Sequence, residues 1–174
     1  PLVSHQKTIR GLKELIEAYP QYSEAKSALG YHYFVGQEFK KSKEYLKKDP
    51  GMYSYLLPYL NKYIQLKAER KFLSTEDFQQ LLNEIQPLKI LHFKMLMLYC
   101  HQQTSEEKII PLVKVLLKRL NPDWNSKGFS YDSEKQRMNI YGENFNTLGY
   151  LDFSPISVLK IKALSVKNTN ISSI

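Results

Sequence analysis

The sequence predicts an α+β protein whose first two-thirds is helical and whose last third contains a small amount of strand. Apolar residues recur with helical spacing along most of 1–122, and alternation of polar and apolar residues follows the turn-rich stretch NPDWNSKG (121–128). The segment 164–174 also repeats the pattern of 138–148. We therefore expect two domains, an α-helical one over 1–122 and a β-containing one over 123–174.

The net charge of +8 raises the question of nucleic-acid binding. The basic residues are spread along the whole chain, whereas a phosphate-binding face needs a cluster of them. The densest basic run, KKSKEYLKK (40–48), also has the composition of a solvated helix face. Nucleic-acid binding through this segment is therefore the alternative function, and a solvent-facing helix is the favoured interpretation.

Two features bear on location. No apolar run approaches the roughly 20 residues that span a bilayer, so no membrane segment is predicted. The single cysteine, Cys100, cannot form an internal disulfide and lies in an apolar stretch, which indicates a buried, unreactive thiol. This cysteine usage favours a reducing compartment, and we expect a cytoplasmic protein.

Three helices are predicted in the N-terminal part of the chain. Residues 8–19 place an apolar stripe on one face, residues 23–34 follow with Ser23 as the expected N-cap, and residues 38–48 end at the turn Asp49–Pro50–Gly51. Short helices with short connections are typical of helical hairpins.

The second and third of these helices resemble the tetratricopeptide repeat. The residues that carry the resemblance by their spacing are Leu29, Gly30, Tyr33, Phe39, Ser42 and Leu46. The resemblance implies close helix contact at Gly30 and a groove lined by the first helix of the pair. The implied partner-binding residues are Glu24, Ser27, Tyr31, Phe34 and Val35. A generic helical hairpin remains the alternative fold, with Tyr31 and Phe34 packed in its core.

Four more helices are predicted before the turn-rich stretch. Ser74 or Thr75 is the expected N-cap of the second, and Thr104 with Glu107 forms a capping pattern for the fourth, in which Pro111 should fall near the first turn. Their predicted ranges are 54–72, 74–86, 88–102 and 104–120.

Beyond the turn-rich stretch, alternation predicts strands. Residues 128–132 and 137–142 should form a hairpin with 133–136 as its loop, and 148–153 is either a further strand or part of the return leg of the repeat.

The repeated segments align without a gap. In this alignment, Met138 corresponds to Leu164, Ile140 to Val166, and Phe145 to Ile171. With Thr169, this pattern resembles a bacterial leucine-rich repeat of the subtype that has Thr where Asn is usual.

That resemblance implies a short parallel strand at 163–167 and a backbone hydrogen bond from Thr169 at the following bend. The outward positions of the two strands would form the concave, partner-binding surface, made of Asn139, Tyr141, Ser165 and Lys167. A small antiparallel sheet is the alternative.

The repeat pattern breaks off inside its second unit, which implies a fragment of a larger protein with an exposed last repeat that could self-associate. Helical repeats followed by leucine-rich repeats weakly resemble, in domain order, the C-terminal regions of bacterial serine/threonine kinases. The chain itself has no Gly-rich loop, HRD or DFG motif of a kinase.

Motifs that support catalysis or cofactor binding are missing from the sequence. The chain has no GxGxxG, Walker loop, HExxH, CxxC or GxSxG, and its four histidines are widely separated. We predict no catalytic residue, no metal site and no cofactor. The expected function is non-catalytic protein–protein interaction or regulatory scaffolding, with an unidentified protein or peptide as partner.

Overall fold

The computed structural model describes residues 2–85, 89–102, 105–149 and 154–171. Its contacts divide the chain into two compact units, Pro1–Tyr99 and Cys100–Ile174. Seven α-helices and a three-stranded sheet lie in the described ranges, so the α+β class is confirmed. The helices are α1 (Leu2–Ala18), α2 (Ser23–Val35), α3 (Phe39–Lys48), α4 (Leu57–Lys67), α5 (Thr75–Glu84), α6 (Lys89–Gln102) and α7 (Glu106–Leu120).

The sheet contains β1 (Phe129–Asp132), β2 (Arg137–Tyr141) and β3 (Ala163–Lys167), and 3-10 helices cover Gly51–Leu56 and Pro155–Val158. The change from helix to strand falls at the predicted turn-rich stretch. The compact units divide earlier, between Tyr99 and Cys100, because α7 packs within the C-terminal unit against the second 3-10 helix.

Most predicted helices are present, with corrections at their ends. Ser74 caps α5 as expected, its hydroxyl accepting a 3.1 Å hydrogen bond from the Asp77 N–H. Ser23 is not a cap, since α2 begins at Ser23 itself and its hydroxyl donates to Asp49. Pro111 lies inside α7, beyond the first turn. The predicted cap at Thr104 falls outside the described residues, as do residues 150–153 of the candidate strand at 148–153.

We call Pro1–Tyr99 the helical unit. Within it, α2 packs mainly on α3, and α1 and the first 3-10 helix also pack on α2. At Gly30 the helices come so close that an added Cβ would lie 2.7 Å from Leu46 Cγ. The buried Ser42 hydroxyl donates a 2.8 Å hydrogen bond to the Gly30 carbonyl at the same crossing. The small residues at these two positions therefore set the distance between the helices.

A pair of histidines joins α1 to α2. The Nδ1 atoms of His5 and His32 are 3.4 Å apart, and both side chains are partly buried. Burial, the neighbouring His5 and the ammonium of Lys94 lower the pKa of His32 to about 4. Burial also lowers the pKa of His5, with Lys94 acting in the same direction and Glu38 opposing it. Neutral imidazoles are therefore part of the folded contact between these helices.

The sheet has the order β1-β2-β3, with an antiparallel β1–β2 pair and a parallel β2–β3 pair. The parallel register joins Met138 to Leu164 and Ile140 to Val166, which is the alignment found in the sequence. The alternative of a purely antiparallel sheet is therefore wrong. Among the described residues Thr169 makes no side-chain hydrogen bond, and the bend is held by the Asn170 N–H donating to the Phe145 carbonyl, at 3.0 Å.

Within the described residues, no helix is both long and apolar enough to cross a membrane.

The close helix crossing predicts a difference between two glycines. We expect Gly30→Ala to lower the free energy of unfolding by about 1–3 kcal/mol, since its methyl group would overlap the buried Leu46. Gly11→Ala, in α1 with nothing within 4 Å of the added methyl, should raise stability by up to about 1 kcal/mol. Urea unfolding followed by circular dichroism measures both, and equal effects would contradict the packing argument.

The histidine pair predicts loss of stability in mild acid. Unfolded His32 takes a proton near its ordinary pKa of 6.5, whereas folded His32 resists protonation until about pH 4. The unfolded state therefore binds more protons as the pH falls below 6.5, and the free energy of unfolding decreases. Urea midpoints at pH 7.5, 6.5 and 5.5 should fall more steeply for the unmodified chain than for His32→Gln. Identical pH dependence in the two proteins would exclude this role for the pair.

Candidate interaction surfaces

The outward face of the sheet brings together all four residues predicted on the strands. Asn139 lies beside Ser165, and Tyr141 lies beside Lys167, as direct partners in the parallel register. Tyr141 is 48% exposed, Lys167 is exposed, and the two central side chains are half-buried. We call this surface the sheet face, and it also includes Ser130, Asp132, Arg137 and Ala163.

Polar groups cross the sheet face in rows. Asn139 donates a 3.1 Å hydrogen bond from its amide to the Ser130 hydroxyl, and Ser165 continues this row on β3. At one end, Asp132 opposes Arg137, and the backbone N–H of Lys135 helps to hold the pKa of Asp132 below its usual value. The face therefore offers amide, hydroxyl, aromatic and charged groups side by side, a combination common at protein-binding sites.

Matched turns after the two strands keep the rows aligned. Gly142 after β2 has a φ of 123°, and Asn168, at the equivalent position after β3, has a φ of 52°. The Gly142 N–H also donates to the Lys167 carbonyl, at 3.3 Å. Positive φ is accessible to glycine and, among other residues, most often to asparagine. Both strands can therefore end at paired residues, Tyr141 and Lys167, without a shift in register.

Trp124 supports the sheet from the turn that follows α7. Its indole N–H donates a 3.1 Å hydrogen bond to the Tyr141 carbonyl, and its side chain is fully buried, edge-on against Phe145. Gly128 must be glycine at this site, because an added Cβ would lie 1.9 Å from the Tyr141 carbonyl oxygen. These contacts fix the backbone that carries the exposed Tyr141 ring.

Asn121 joins the end of α7 to the loop after β2. Its amide nitrogen donates to the carbonyls of Leu117 and Thr147, at 2.8 and 2.9 Å. Its amide oxygen accepts from the N–H groups of Asn146 and Thr147, at 2.7 and 2.9 Å. The side chain is completely buried, so these bonds replace all contact with water. The sequence pattern indicates Asn121 only as a turn residue, since its loop partners are distant in the chain.

The inward face of the sheet differs between its two repeated strands. Met138 and Ile140 of β2 are fully buried, and so is Phe145 beyond it. The equivalent residues of the second unit, Leu164, Val166 and Ile171, are only half-buried. Because β3 is also an edge strand, the residues that the structure describes leave its outer edge and these apolar side chains incompletely covered.

The five residues predicted to line a groove on α2 differ in their exposure. Ser27, Phe34 and Val35 are buried inside the helical unit, so their side chains are not available to a partner. Tyr31 is 8% exposed and stacks on Tyr53, with ring centroids 4.6 Å apart. The packing alternative therefore applies to Phe34, and also to Tyr31 in large part. Among the five predicted groove residues, only Glu24 lies exposed.

A cleft of about 870 Å³ opens in the C-terminal unit. Cys100, Glu106, Glu107 and Lys160 are among its lining residues. Burial raises the pKa of the Cys100 thiol to about 12, which leaves it protonated and a poor nucleophile at neutral pH. Among the residues the structure describes, no group of three or more His, Cys, Asp or Glu side chains could hold a metal ion.

Comparison of the chain with protein-family models, with curated proteins and with solved structures finds no match. The resemblances to tetratricopeptide and leucine-rich repeats therefore stay predictions.

The buried hydrogen bonds of Asn121 predict a large effect of removing its amide. Asn121→Ala should lower the free energy of unfolding by about 3 kcal/mol, because buried N–H and carbonyl groups lose their partners. Asn125→Ala is the matched control, since that side chain is exposed and accepts one local hydrogen bond from the Lys127 N–H. We expect a change below about 0.5 kcal/mol for the control. Chemical denaturation measures the free energy of unfolding of both variants. A small effect at Asn121 would mean that its four hydrogen bonds are not essential to stability.

Proposed function

We propose that this chain is a non-catalytic protein-interaction region and that the sheet face is its main binding surface. The observation that carries the proposal is the alignment of Asn139 with Ser165 and of Tyr141 with Lys167 on one outward face. Four residues from two separate segments become one surface through the parallel register. Core packing does not explain these four positions, because the inward face carries the apolar side chains instead.

The chemistry of the face supports a protein or peptide partner. An exposed tyrosine supplies a large contact area and a phenol group at low conformational cost, and interfaces are enriched in this residue. The neighbouring amide and hydroxyl groups can both donate and accept hydrogen bonds, which suits a peptide backbone. Asp132 opposes Arg137 at one end of the face, whereas Lys167 gives the other end a positive charge that would favour a partner with acidic residues.

We also propose that this region belongs to a longer polypeptide, in which binding at the sheet face would regulate or organise another domain. The half-buried Leu164 and Val166 on the edge strand support this setting, because further stacked chain would bury them. The C-terminal region of a bacterial serine/threonine kinase is one such setting, through the resemblance in domain order. The unpaired Cys100 favours a reducing compartment, and we propose the cytoplasm.

Site-specific photo-crosslinking tests the sheet face. A photoreactive phenylalanine analogue placed at Tyr141 should give a discrete adduct in cells that express the protein. The same analogue at Tyr19 is the matched control, because Tyr19 is also a tyrosine and is 56% exposed, on the other compact unit. We expect no discrete adduct there.

The adduct should be lost when Asn139→Ala and Ser165→Ala are combined with the crosslinker, since both side chains contribute to the same face. An adduct with a second copy of the chain would make self-association the interaction. Equal crosslinking from Tyr19 and Tyr141, or none from Tyr141, would overturn the proposal.

A further inference from the structure

A second surface lies in the helical unit, where the start of α3 meets the end of α4. It is a cleft of about 200 Å³, and Phe39 and Ile64 are apolar residues of its lining. Four cationic side chains line it, and we call it the basic cleft, defined by Lys40, Lys41, Lys67 and Arg70. Glu38 is the one carboxylate among the lining residues.

The cations of the basic cleft are incompletely neutralised. Lys41 pairs with Glu38, and Arg70 lies 3.6 Å from Asp77. Lys67 donates a 2.6 Å hydrogen bond to the Gln37 carbonyl, which is a neutral group. Lys40 is exposed and makes no ion pair with any residue that the structure describes. Two of the four positive charges therefore have no carboxylate partner.

Buried polar contacts fix the position of Lys67. Gln37 is 2% exposed and has a φ of 60°, and its side-chain oxygen accepts a 2.8 Å hydrogen bond from the Leu73 N–H. The Gln37 carbonyl that accepts from the Lys67 ammonium therefore belongs to a residue that its own side chain holds in place. At the end of α4, Ala68 has a φ of 43°, and the Arg70 N–H bonds to the Lys67 carbonyl. This tight turn returns Arg70 to the same cleft.

Burial is the main cause that lowers the pKa of Lys67. Glu38 opposes this effect, and the repulsion of the nearby Lys41 and Lys40 ammonium groups adds to the lowering. A bound anion would offset this repulsion and favour the charged form of Lys67. The N-terminal end of α3 adds a partial positive charge on the same side.

We propose that the basic cleft binds a phosphate group. Lysine ammonium and arginine guanidinium groups are the side chains that proteins use for phosphate oxygens, and the guanidinium can bind two oxygens at once. The four cations line one small cleft of about 200 Å³, whereas a nucleic-acid strand is followed by basic residues along a groove. The site is in the helical unit and does not depend on the sheet face.

Isothermal titration of the full chain with inorganic phosphate at low ionic strength tests the site. We expect saturable binding of one phosphate. Lys40→Gln combined with Lys67→Gln should weaken it at least tenfold. Lys47→Gln combined with Lys48→Gln, in the last turn of the same helix, removes the same charge outside the cleft and should change affinity less than twofold. Lys40→Gln alone keeps the Lys67–Gln37 contact, so we expect this variant to fold normally. It should still weaken phosphate binding about threefold or more.

A phosphoserine peptide and its unmodified counterpart distinguish the source of the phosphate. Tighter binding of the phosphopeptide than of inorganic phosphate would indicate a phosphorylated partner protein, and equal binding would indicate free phosphate. Equal weakening by the two double variants, or binding without saturation, would overturn the proposal and leave only diffuse surface charge. Tighter binding of nonspecific duplex DNA, equally weakened by both double variants, would instead support the nucleic-acid alternative.

Discussion

The parallel pairing of β2 with β3 is the constraint on which the C-terminal unit depends. A parallel ladder fixes which residues are neighbours, and a shift by one residue would turn every side chain to the opposite face. The observed register buries Met138 and Ile140 beneath the sheet and leaves Tyr141 beside Lys167 outside. The hairpin with β1, the Asn170 N–H bond to Phe145 and the positive-φ positions after both strands all accommodate this one register.

Two small residues have the corresponding role in the helical unit. Gly30 and Ser42 allow α2 and α3 to touch, and the Ser42 hydroxyl bonds to the Gly30 carbonyl at the crossing. Larger side chains there would separate the helices and open voids beside Leu46, which is fully buried. Each unit thus depends on a sequence spacing that brings two segments of the chain into direct contact.

The sequence could predict those features of the fold that follow from the regular spacing of residues along the chain. The apolar repeat from Met138 to Leu164 aligned the residues that pair in the sheet, while the parallel direction came only from the leucine-rich-repeat resemblance. Ser74 was one of the two expected caps of α5, because capping is a local interaction. The burial of Phe34 did not follow from the repeat spacing, since α1 and the 3-10 helix at Gly51–Leu56 also pack on α2 in this chain. The hydrogen bonds of Asn121 and Gln37 join residues far apart in sequence, so no local pattern indicates them. The basic cleft could not be predicted for the same reason, since two helices and a tight turn assemble it.

The burial of Cys100 makes it a reporter of local opening. It is the only cysteine in the chain, it is 6% exposed, and its raised pKa suppresses the thiolate that alkylating reagents require. Modification must therefore wait for the end of α6 to open and expose the sulfur. The rate of alkylation, compared with that of a free thiol, then measures the free energy of this opening without any introduced label. A native chain thus carries its own probe of fluctuations at the position where its two compact units divide.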